Sequence, residues 1–322
     1  MERALLRDPR GGILRIDLSM PSSPCIATVF ACFNRRATAM ECIRRLQAQT
    51  RQPDMVVVGD NASTDGTPEA LRALAWDRLT VVDTGDNLGN AGGVQVAMDH
   101  AFAHGADAVW VLDDDSWPRS EALGALLEDG FDAHTVRHSL QVDPTGGHYS
   151  WPLPVRSASG AWETIRHPDE WPGPARVESR ASWTGALVPR AAWERAGPVL
   201  GELFIRGEDE EYPRRLAAAG FRFEAVRDSV LDHPSAKNLR RWKIGTKDFW
   251  FETGLEDWKF YYEVRNTVWL KFREGSRGQG WAIGFLHLLA TLLHDGWSSS
   301  RWRTWRLALA DARSGRLGRR SF

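Results

Sequence analysis

The chain has 322 residues, of which 43% are hydrophobic and 26% charged, and its formal net charge is −1. This length and apolar content allow a sizeable core and exclude a disordered chain, and the near-neutral charge gives no general attraction to nucleic acid. Three cysteines, an odd count, argue against a disulfide framework and favour a reducing compartment. The sequence shows neither an apolar leader nor a long uncharged apolar run, so we expect a cytoplasmic protein without a spanning helix.

Short apolar runs alternate with helical patterns over the first third of the chain. The runs that predict strands are 25–33, 54–63, 79–85 and 106–115. The segments that predict helices are 37–50, 67–75 and 89–105. This alternation predicts an α/β fold, in which helices cover both faces of a mostly parallel sheet.

Polar residues follow each predicted strand. They are Asn34-Arg35, Asp60-Asn61, the segment 87–93 and the aspartates 113–115. Ligands of open α/β sheets bind beyond the carboxyl ends of the strands. We therefore expect these four groups to meet at one edge of the sheet and to form a binding site.

The three consecutive aspartates predict a metal site. Carboxylates at a strand end cannot all stay ionised in a partly dry cleft without a counter-charge, which Mg²⁺ or Mn²⁺ supplies. Alternate residues of an extended segment point the same way, so Asp113 and Asp115 are the better ligand pair. A solvated turn that caps the following helix is the alternative interpretation.

Three further segments have candidate chemistry. The small-residue loops 59–67 and 85–93 are suited to phosphate, although ordinary tight turns would have the same composition. The acids of 207–212 open a predicted helix and include a candidate general base, but acids at that position commonly complement the helix dipole. His233 follows a predicted strand and is a candidate metal ligand, although a lone histidine more often has no such role.

The end of the chain is basic. Residues 271–322 contain ten Lys or Arg and three acids, with Trp297, Trp302 and Trp305 among them. This composition predicts either docking of 281–322 on an anionic membrane surface or a helical face that packs on the body of the protein. The sequence leaves both alternatives open, and it indicates no oligomeric state.

Over residues 25–266 the chain resembles the family 2 inverting glycosyltransferases of the GT-A fold. The resemblance rests on five motifs: VFACFNR, VVVGDNASTDGT, VLDDDSWP, WTGALVPRAAWERAG and YYEVRN. It implies a GT-A catalytic domain over 1–240, with a nucleotide-binding half at 22–118 and an acceptor-side half at 119–240. A helical, basic, Trp-rich region is predicted for 241–322.

The resemblance also implies roles for individual residues. FIRGEDEEY is similar to the galactofuranosyltransferase branch, which implies that Asp209 is the catalytic base and that His233 binds the metal with Asp113 and Asp115. The implied nucleotide and donor contacts are Asn34, Arg35, Asp60, Asn61, Asn90, Gly92 and Asp114. The implied acceptor contacts are Trp183, Thr184 and Glu208.

These roles imply a metal-dependent enzyme, using Mn²⁺ or Mg²⁺, that moves a sugar from a nucleotide-sugar to a hydroxyl of a cell-envelope or lipid-linked glycan. Galactofuranose from a UDP donor is the favoured sugar. The chain has Gly207 where the resemblance would imply tryptophan, and no large N-terminal β domain of that branch is expected from this sequence. Transfer of rhamnose from dTDP-rhamnose is therefore an alternative, and nucleotide-sugar hydrolysis is another. The implied location is the inner face of the plasma membrane.

Overall fold

The computed structural model describes residues 3–7, 13–17, 23–180, 182–235, 238–245 and 247–322. Near the start of the chain, two strands pair antiparallel as a separate hairpin: β1 (Arg3–Arg7) and β2 (Ile13–Asp17). The fold that positions the site is built from the elements that follow.

The predicted βαβ units are present in the first half of the main sheet. Its parallel strands are β3 (Ile26–Cys32), β4 (Met55–Asp60), β5 (Leu79–Asp83) and β6 (Ala108–Val111). The intervening helices are α1 (Arg36–Gln47), α2 (Thr67–Arg72) and α3 (Gly89–Ala103). Cys32 lies opposite Asp60, and Asp60 lies opposite Asp83, so the strands end level with one another and their loops leave the same edge.

The second half of the sheet adds strands of mixed direction. The elements are β7 (Trp117–Pro118), α4 (Ala122–Leu127), β8 (Thr135–Val142), β9 (Leu153–Arg156), β10 (Trp162–Ile165), β11 (Arg176–Glu178), β12 (Ala186–Pro189), α5 (Arg190–Ala196), α6 (Glu208–Ala218) and β13 (Arg222–Asp232). The strand order is β11-β13-β8-β12-β6-β3-β4-β5, with β7 paired to β13 and with β9 and β10 as a separate hairpin. β12 is antiparallel to both of its neighbours, whereas β13 is parallel to β8. The predicted α/β class is confirmed.

Alternation along the strands separates two apolar layers. Val29 of β3 packs in the layer that includes α3, whereas Phe30 packs in the layer that includes α1. Burying one such side chain contributes roughly 1.5–3 kcal/mol, so both faces of the sheet need a helical cover. A Cβ on Gly59 would lie 2.3 Å from the carbonyl oxygen of Gly93, and this close approach sets α3 against β4.

The C-terminal region begins with a β-hairpin. The strands of this hairpin are β14 (Leu239–Ile244) and β15 (Lys247–Glu252). Three helices follow: α7 (Asp257–Arg273), α8 (Arg277–His294) and α9 (Ser299–Ser314). The prediction of helix for 241–322 was wrong for the hairpin, where Trp242 contacts Phe249 and Phe251 across the strands. In the part of the chain that the structure describes, no helix is both long and apolar enough to cross a bilayer.

Candidate functional site

A cavity of about 820 Å³ opens at the carboxyl ends of β3, β4 and β6. Arg35, Asn61, Asn90 and the aspartates 113–115 all line it. The expected convergence of the four polar groups is therefore confirmed. The cavity is also lined by Phe204 and by residues from α7 and the end of the chain, which the sequence analysis had not placed there.

Arg35 neutralises part of the aspartate cluster. Its Nη1 donates to Asp114 Oδ1 and its Nη2 to Asp115 Oδ2, each at 2.9 Å. Burial raises the pKa of the Asp114 carboxyl to about 7, although Arg35 opposes that rise. The sequence analysis expected Arg35 to contact the donor but did not foresee this pairing, which joins residues that are far apart in the chain.

Two aspartates and one histidine have a spacing that suits a divalent cation. One oxygen each from Asp113 and Asp115 and one ring nitrogen of His233 lie within 4.8 Å of one another. His233 Nδ1 is buried and has no hydrogen-bond partner among the described residues. Carboxylate oxygens are preferred ligands of Mg²⁺ and Mn²⁺, and imidazole is a common metal ligand. The residues present therefore fit such an ion.

Asn90 connects the aspartates to α6. Its Nδ2 donates to Glu208 Oε1 at 3.1 Å and lies 3.4 Å from Asp113 Oδ1. Thr184 Oγ1 donates to the other oxygen of Asp113 at 2.6 Å. Thr184, expected at the acceptor, thus orients an aspartate in this structure.

Glu208 is a buried acid with unusual electrostatics. Its side chain is 4% exposed, and its Oε2 has no hydrogen-bond partner among the described residues. Burial raises the pKa of the carboxyl to about 8, and the neighbouring Asp209 adds to the rise. Near neutral pH the carboxyl is therefore mostly protonated in the folded protein.

We expect Glu208→Gln to flatten the pH dependence of stability. Because the folded-state pKa of Glu208 exceeds the ordinary value of 4.5, the stability that its protonation gives is full below pH 4.5 and is lost as pH rises towards about 8. The wild-type free energy of unfolding should fall more steeply over that window than the variant's, by up to about 1 kcal/mol per pH unit. Urea unfolding at several pH values, with chelator present, measures the difference. The exposed Glu194→Gln is the matched control, and equal slopes for wild type and Glu208→Gln would contradict the raised pKa.

Asp209 is the exposed neighbour of Glu208 at the start of α6. The Gly207 amide donates to its Oδ1 at 3.0 Å. Although solvent reaches the carboxyl, the protein mass around it raises its pKa by desolvation, and the charge of Glu263 adds to this, whereas that of Arg206 opposes it. The arrangement supplies a carboxyl that is held by backbone and open to a substrate.

The YYEVRN segment holds the backbone that precedes Asp209. Asn266 Nδ2 donates to the carbonyl oxygens of Leu203 and Ile205, at 3.0 and 2.9 Å. Gly207 has a φ of +101°, and a Cβ there would lie 3.1 Å from Asn266 Cβ. A tryptophan at position 207 would be strained in this backbone conformation, whereas glycine adopts it freely.

Three other predicted donor residues shape the loops. Asn34 Oδ1 accepts from the Thr64 amide at 2.7 Å, and the buried Asp60 accepts from the Ser63 amide at 3.1 Å. Asn61 Nδ2 donates to the Gly89 carbonyl at 3.0 Å, so Asn61 joins the two loops while it also lines the cavity. Asn34 and Asp60 are not among the lining residues.

The remaining predicted site residues lie in packed positions. Gly92 packs closely against Leu88: if residue 92 had a Cβ, it would lie only 2.6 Å from the Cβ of Leu88. Trp183 is 4% exposed and packs edge-on against Tyr212, with ring centroids 5.6 Å apart. In this structure neither residue offers much surface to a ligand.

The sequence analysis missed the lining residues from α7 and from the end of the chain. They include Tyr262 of α7 and, at the end of the chain, Arg319 and Phe322. The available signal was the Arg319-Arg320 pair, which the sequence analysis had grouped with the basic tail. A local pattern could not place this pair beside aspartates that occur two hundred residues earlier.

Comparison with known proteins finds a family model that matches part of the chain. Residues 28–170 match the model described as glycosyl transferase family 2. A galactofuranosyltransferase of Mycobacterium tuberculosis (GlfT1) is 32% identical over 201 residues, which cover 59% of this chain and 63% of the relative. Over that match, the chain therefore spans less than two thirds of the relative's length.

Two further curated relatives are similar over longer stretches. Galactofuranosyltransferase GlfT1 of Mycolicibacterium smegmatis is 29% identical, with 80% of this chain and 86% of the relative covered. An N-acetylglucosaminyl-diphospho-decaprenol L-rhamnosyltransferase of M. tuberculosis is 27% identical, with 61% of this chain and 71% of the relative covered. Both implied branches are thus represented among the relatives.

Solved structures share the fold. TarS (residues 1–349) of S. aureus has a TM-score of 0.55 and 16% identity, and covers 89% of this chain and 79% of its own. The mannosyltransferase PcManGT of Pyrobaculum calidifontis, solved with GDP-mannose and Mn²⁺, has a TM-score of 0.51 and 22% identity, with coverage of 91% and 76%. These similarities support the mixed, mostly parallel sheet with flanking helices as a GT-A arrangement.

Proposed function

We propose that the protein transfers a sugar from a nucleotide-sugar to a glycan hydroxyl with inversion of configuration, because residues 28–170 match the glycosyl transferase family 2 model. The observation that carries this proposal is the cavity in which Asn61, Asn90 and the aspartates 113–115 meet. It combines loop residues suited to a nucleotide with carboxylates suited to a divalent cation. The site lies at the sheet edge where α/β proteins bind ligands.

The donor would lie in this cavity. Asp113, Asp115 and His233 would hold Mn²⁺ or Mg²⁺, which supplies Lewis-acid neutralisation of a diphosphate when bound. Thr184 and Asn90 orient Asp113 by hydrogen bonds, whereas Arg35 holds Asp114 and Asp115. Among the described residues, Asp114 does not join the group of ligand atoms formed by Asp113, Asp115 and His233, so it is better placed to support its neighbours or the donor than to bind the ion.

Asp209 would act as the general base. It is the exposed acid at the start of α6, and the Gly207 amide fixes one of its oxygens. It would remove the proton of an acceptor hydroxyl that attacks the anomeric carbon opposite the leaving diphosphate. A single displacement of this kind inverts the anomeric configuration.

We favour galactofuranose as the donor sugar, since two of the relatives are named galactofuranosyltransferases. Rhamnose from a dTDP donor is the alternative, because another relative is a rhamnosyltransferase whose acceptor is a decaprenol-linked glycan. A cell-envelope or lipid-linked glycan is the acceptor class that fits both. Gly207 distinguishes this chain from the galactofuranosyltransferase pattern at a position beside the proposed base.

Peripheral membrane attachment is part of the proposal. Trp281, Phe285, Leu293 and Trp297 present large exposed apolar side chains on and just after α8. Trp305, in contrast, packs against α8, where its Nε1 donates to the Gly284 carbonyl at 2.7 Å. The basic residues of 271–322 would attract anionic lipid while the apolar side chains enter the interface.

Thermal unfolding in a panel of nucleotide-sugars tests the donor and the metal together. UDP-galactofuranose or dTDP-rhamnose with Mn²⁺ should raise the melting temperature, and chelator should remove most of the rise, because a ligand that binds only the folded state stabilises it. Incubating the stabilising donor without acceptor should give slow turnover. Rapid release of free sugar would instead indicate a hydrolase, and the absence of a shift with any nucleotide-sugar would contradict the proposal.

A further inference from the structure

The donor cavity has a wall that the family 2 domain does not supply. Residues 319–322, which follow α9, line the cavity together with the loop residues Asn87 and Asn90. Lys259 and Tyr262 of α7 complete this wall. The C-terminal segment, residues 316–322, thus borders the same space as the aspartates.

Several contacts fix the C-terminal segment in place. The Gly318 amide donates to the Glu202 carbonyl at 2.6 Å, and Arg265 Nη1 donates to the Gly318 carbonyl at 2.7 Å. The Arg320 amide donates to the Tyr262 hydroxyl at 2.9 Å. Leu317 packs against the main core. These contacts hold the backbone whatever the neighbouring side chain of Arg319 does.

Arg319 and Arg320 have different partners. Arg320 donates to Asp311, a buried carboxylate that also accepts from the Tyr261 hydroxyl, so its guanidinium is committed to the fold. Arg319 pairs with Asp86 at 2.6 Å, and the side chains are 50% and 71% exposed. Such an exposed pair contributes little stability. Arg319 is therefore free to exchange Asp86 for a ligand at small cost.

The charges around the cavity favour an anion. Among the described lining residues, the aspartates 113–115 are opposed by four cations: Arg35, Lys259, Arg319 and Arg320. Lys259, Arg319 and Arg320 are each paired with an acid outside the lining, namely Glu256, Asp86 and Asp311. A divalent cation on the aspartates would offset most of their repulsion of an anion, and Arg35 and the exposed Arg319 would then attract it. Asp86 immediately precedes Asn87, which lines the cavity, so Arg319 already lies against the donor-side loop.

We propose that Arg319 binds the diphosphate of the nucleotide-sugar, and that the C-terminal segment forms the wall that carries it. The inference rests on the proposed function, since it assumes a nucleoside diphosphate in this cavity. Arg319 would leave Asp86 and donate to phosphate oxygens, an interaction for which guanidinium is well suited. Arg320 would keep the segment anchored to Asp311 while this exchange occurs.

Titration calorimetry of UDP and dTDP in Mn²⁺ tests the inference. Arg319→Gln should weaken the better of the two ligands by about fivefold to tenfold, as expected for one partly exposed charged hydrogen bond. Arg319→Lys should recover part of the loss, and the wild-type affinity should fall more steeply with salt than that of Arg319→Gln. Asp86→Asn, which releases Arg319, should bind the ligand at least as tightly as wild type.

Arg316→Gln is the matched control. Arg316 lies in the same segment, is 68% exposed and is not among the residues that line the cavity, so this variant should bind as wild type does. Unchanged or tighter binding by Arg319→Gln would overturn the inference alone, and tighter binding would mean that the segment obstructs the site. Wild-type protein that binds neither UDP nor dTDP would overturn the proposed function, and the inference with it.

Discussion

Asp209→Asn is expected to lower the rate of sugar transfer by about a thousandfold while leaving nucleotide binding intact, because general-base catalysis contributes roughly 10²–10⁴ in rate. Asparagine retains an oxygen that can accept from the Gly207 amide, so the start of α6 should keep its shape. The variant removes only the ability to take a proton from the acceptor. A steady-state transfer assay, paired with calorimetry of UDP in Mn²⁺, separates these two properties.

The control for this prediction is Glu210→Gln on the next residue of the helix. Glu210 is ion-paired to Arg214 and has no role in the proposed chemistry, so transfer should stay close to wild type. The transfer rate of Glu208→Gln provides a second comparison, since Glu208 is buried and accepts a hydrogen bond from Asn90. Near-normal turnover by Asp209→Asn would exclude it as the base.

Asp115→Asn is expected to abolish the metal dependence of nucleotide binding. The substitution replaces a charged ligand of the proposed site with a neutral amide, while Asp113 and His233 remain. We expect the affinity for UDP in Mn²⁺ to fall about a hundredfold or more, since mutation even of residues that only support metal ligands costs 10–100-fold. The thermal shift that Mn²⁺ and UDP give together should disappear.

Asp228→Asn is the matched change at an exposed aspartate whose partner is the adjacent Arg227, and it should leave the shift unchanged. The melting temperature of Asp115→Asn without ligands reports whether the loss of the Arg35 contact affects the fold. Full activity of Asp115→Asn in chelator would refute the metal site.

The sheet was predictable from the sequence because its signals are local. Buried parallel strands read as short apolar runs, and the polar residues that end them mark the loops. Cys32, Asp60 and Asp83 end level in the sheet, so placing polar residues at strand ends was enough to predict one common edge. The hairpin at 239–252 was missed because most of it was included in a region predicted to be helical. The pairing of its two strands across the turn was not considered.

The proposed metal ligands of the candidate site were also predictable from the sequence. Asp113 and Asp115 followed from like charges at a strand end, and resemblance to the family added His233 as a partner. The structure places all three within reach of a single ion. The roles of Asp209 and of the donor and acceptor residues stay predictions, and Trp183, expected at the acceptor, is buried in this structure.

The sequence by itself determined the α/β class, the edge that carries the site and the carboxylates suited to a metal, because periodicity and strand-end chemistry lie within short stretches of chain. The tertiary structure alone decided which charges meet. Arg35 contacts Asp114 across 79 positions, Asn90 contacts Glu208 across 118, and Arg319 contacts Asp86 across 233. Such contacts depend on how β3, β6, α3, α6 and the C-terminal segment pack together, and no local pattern specifies that packing.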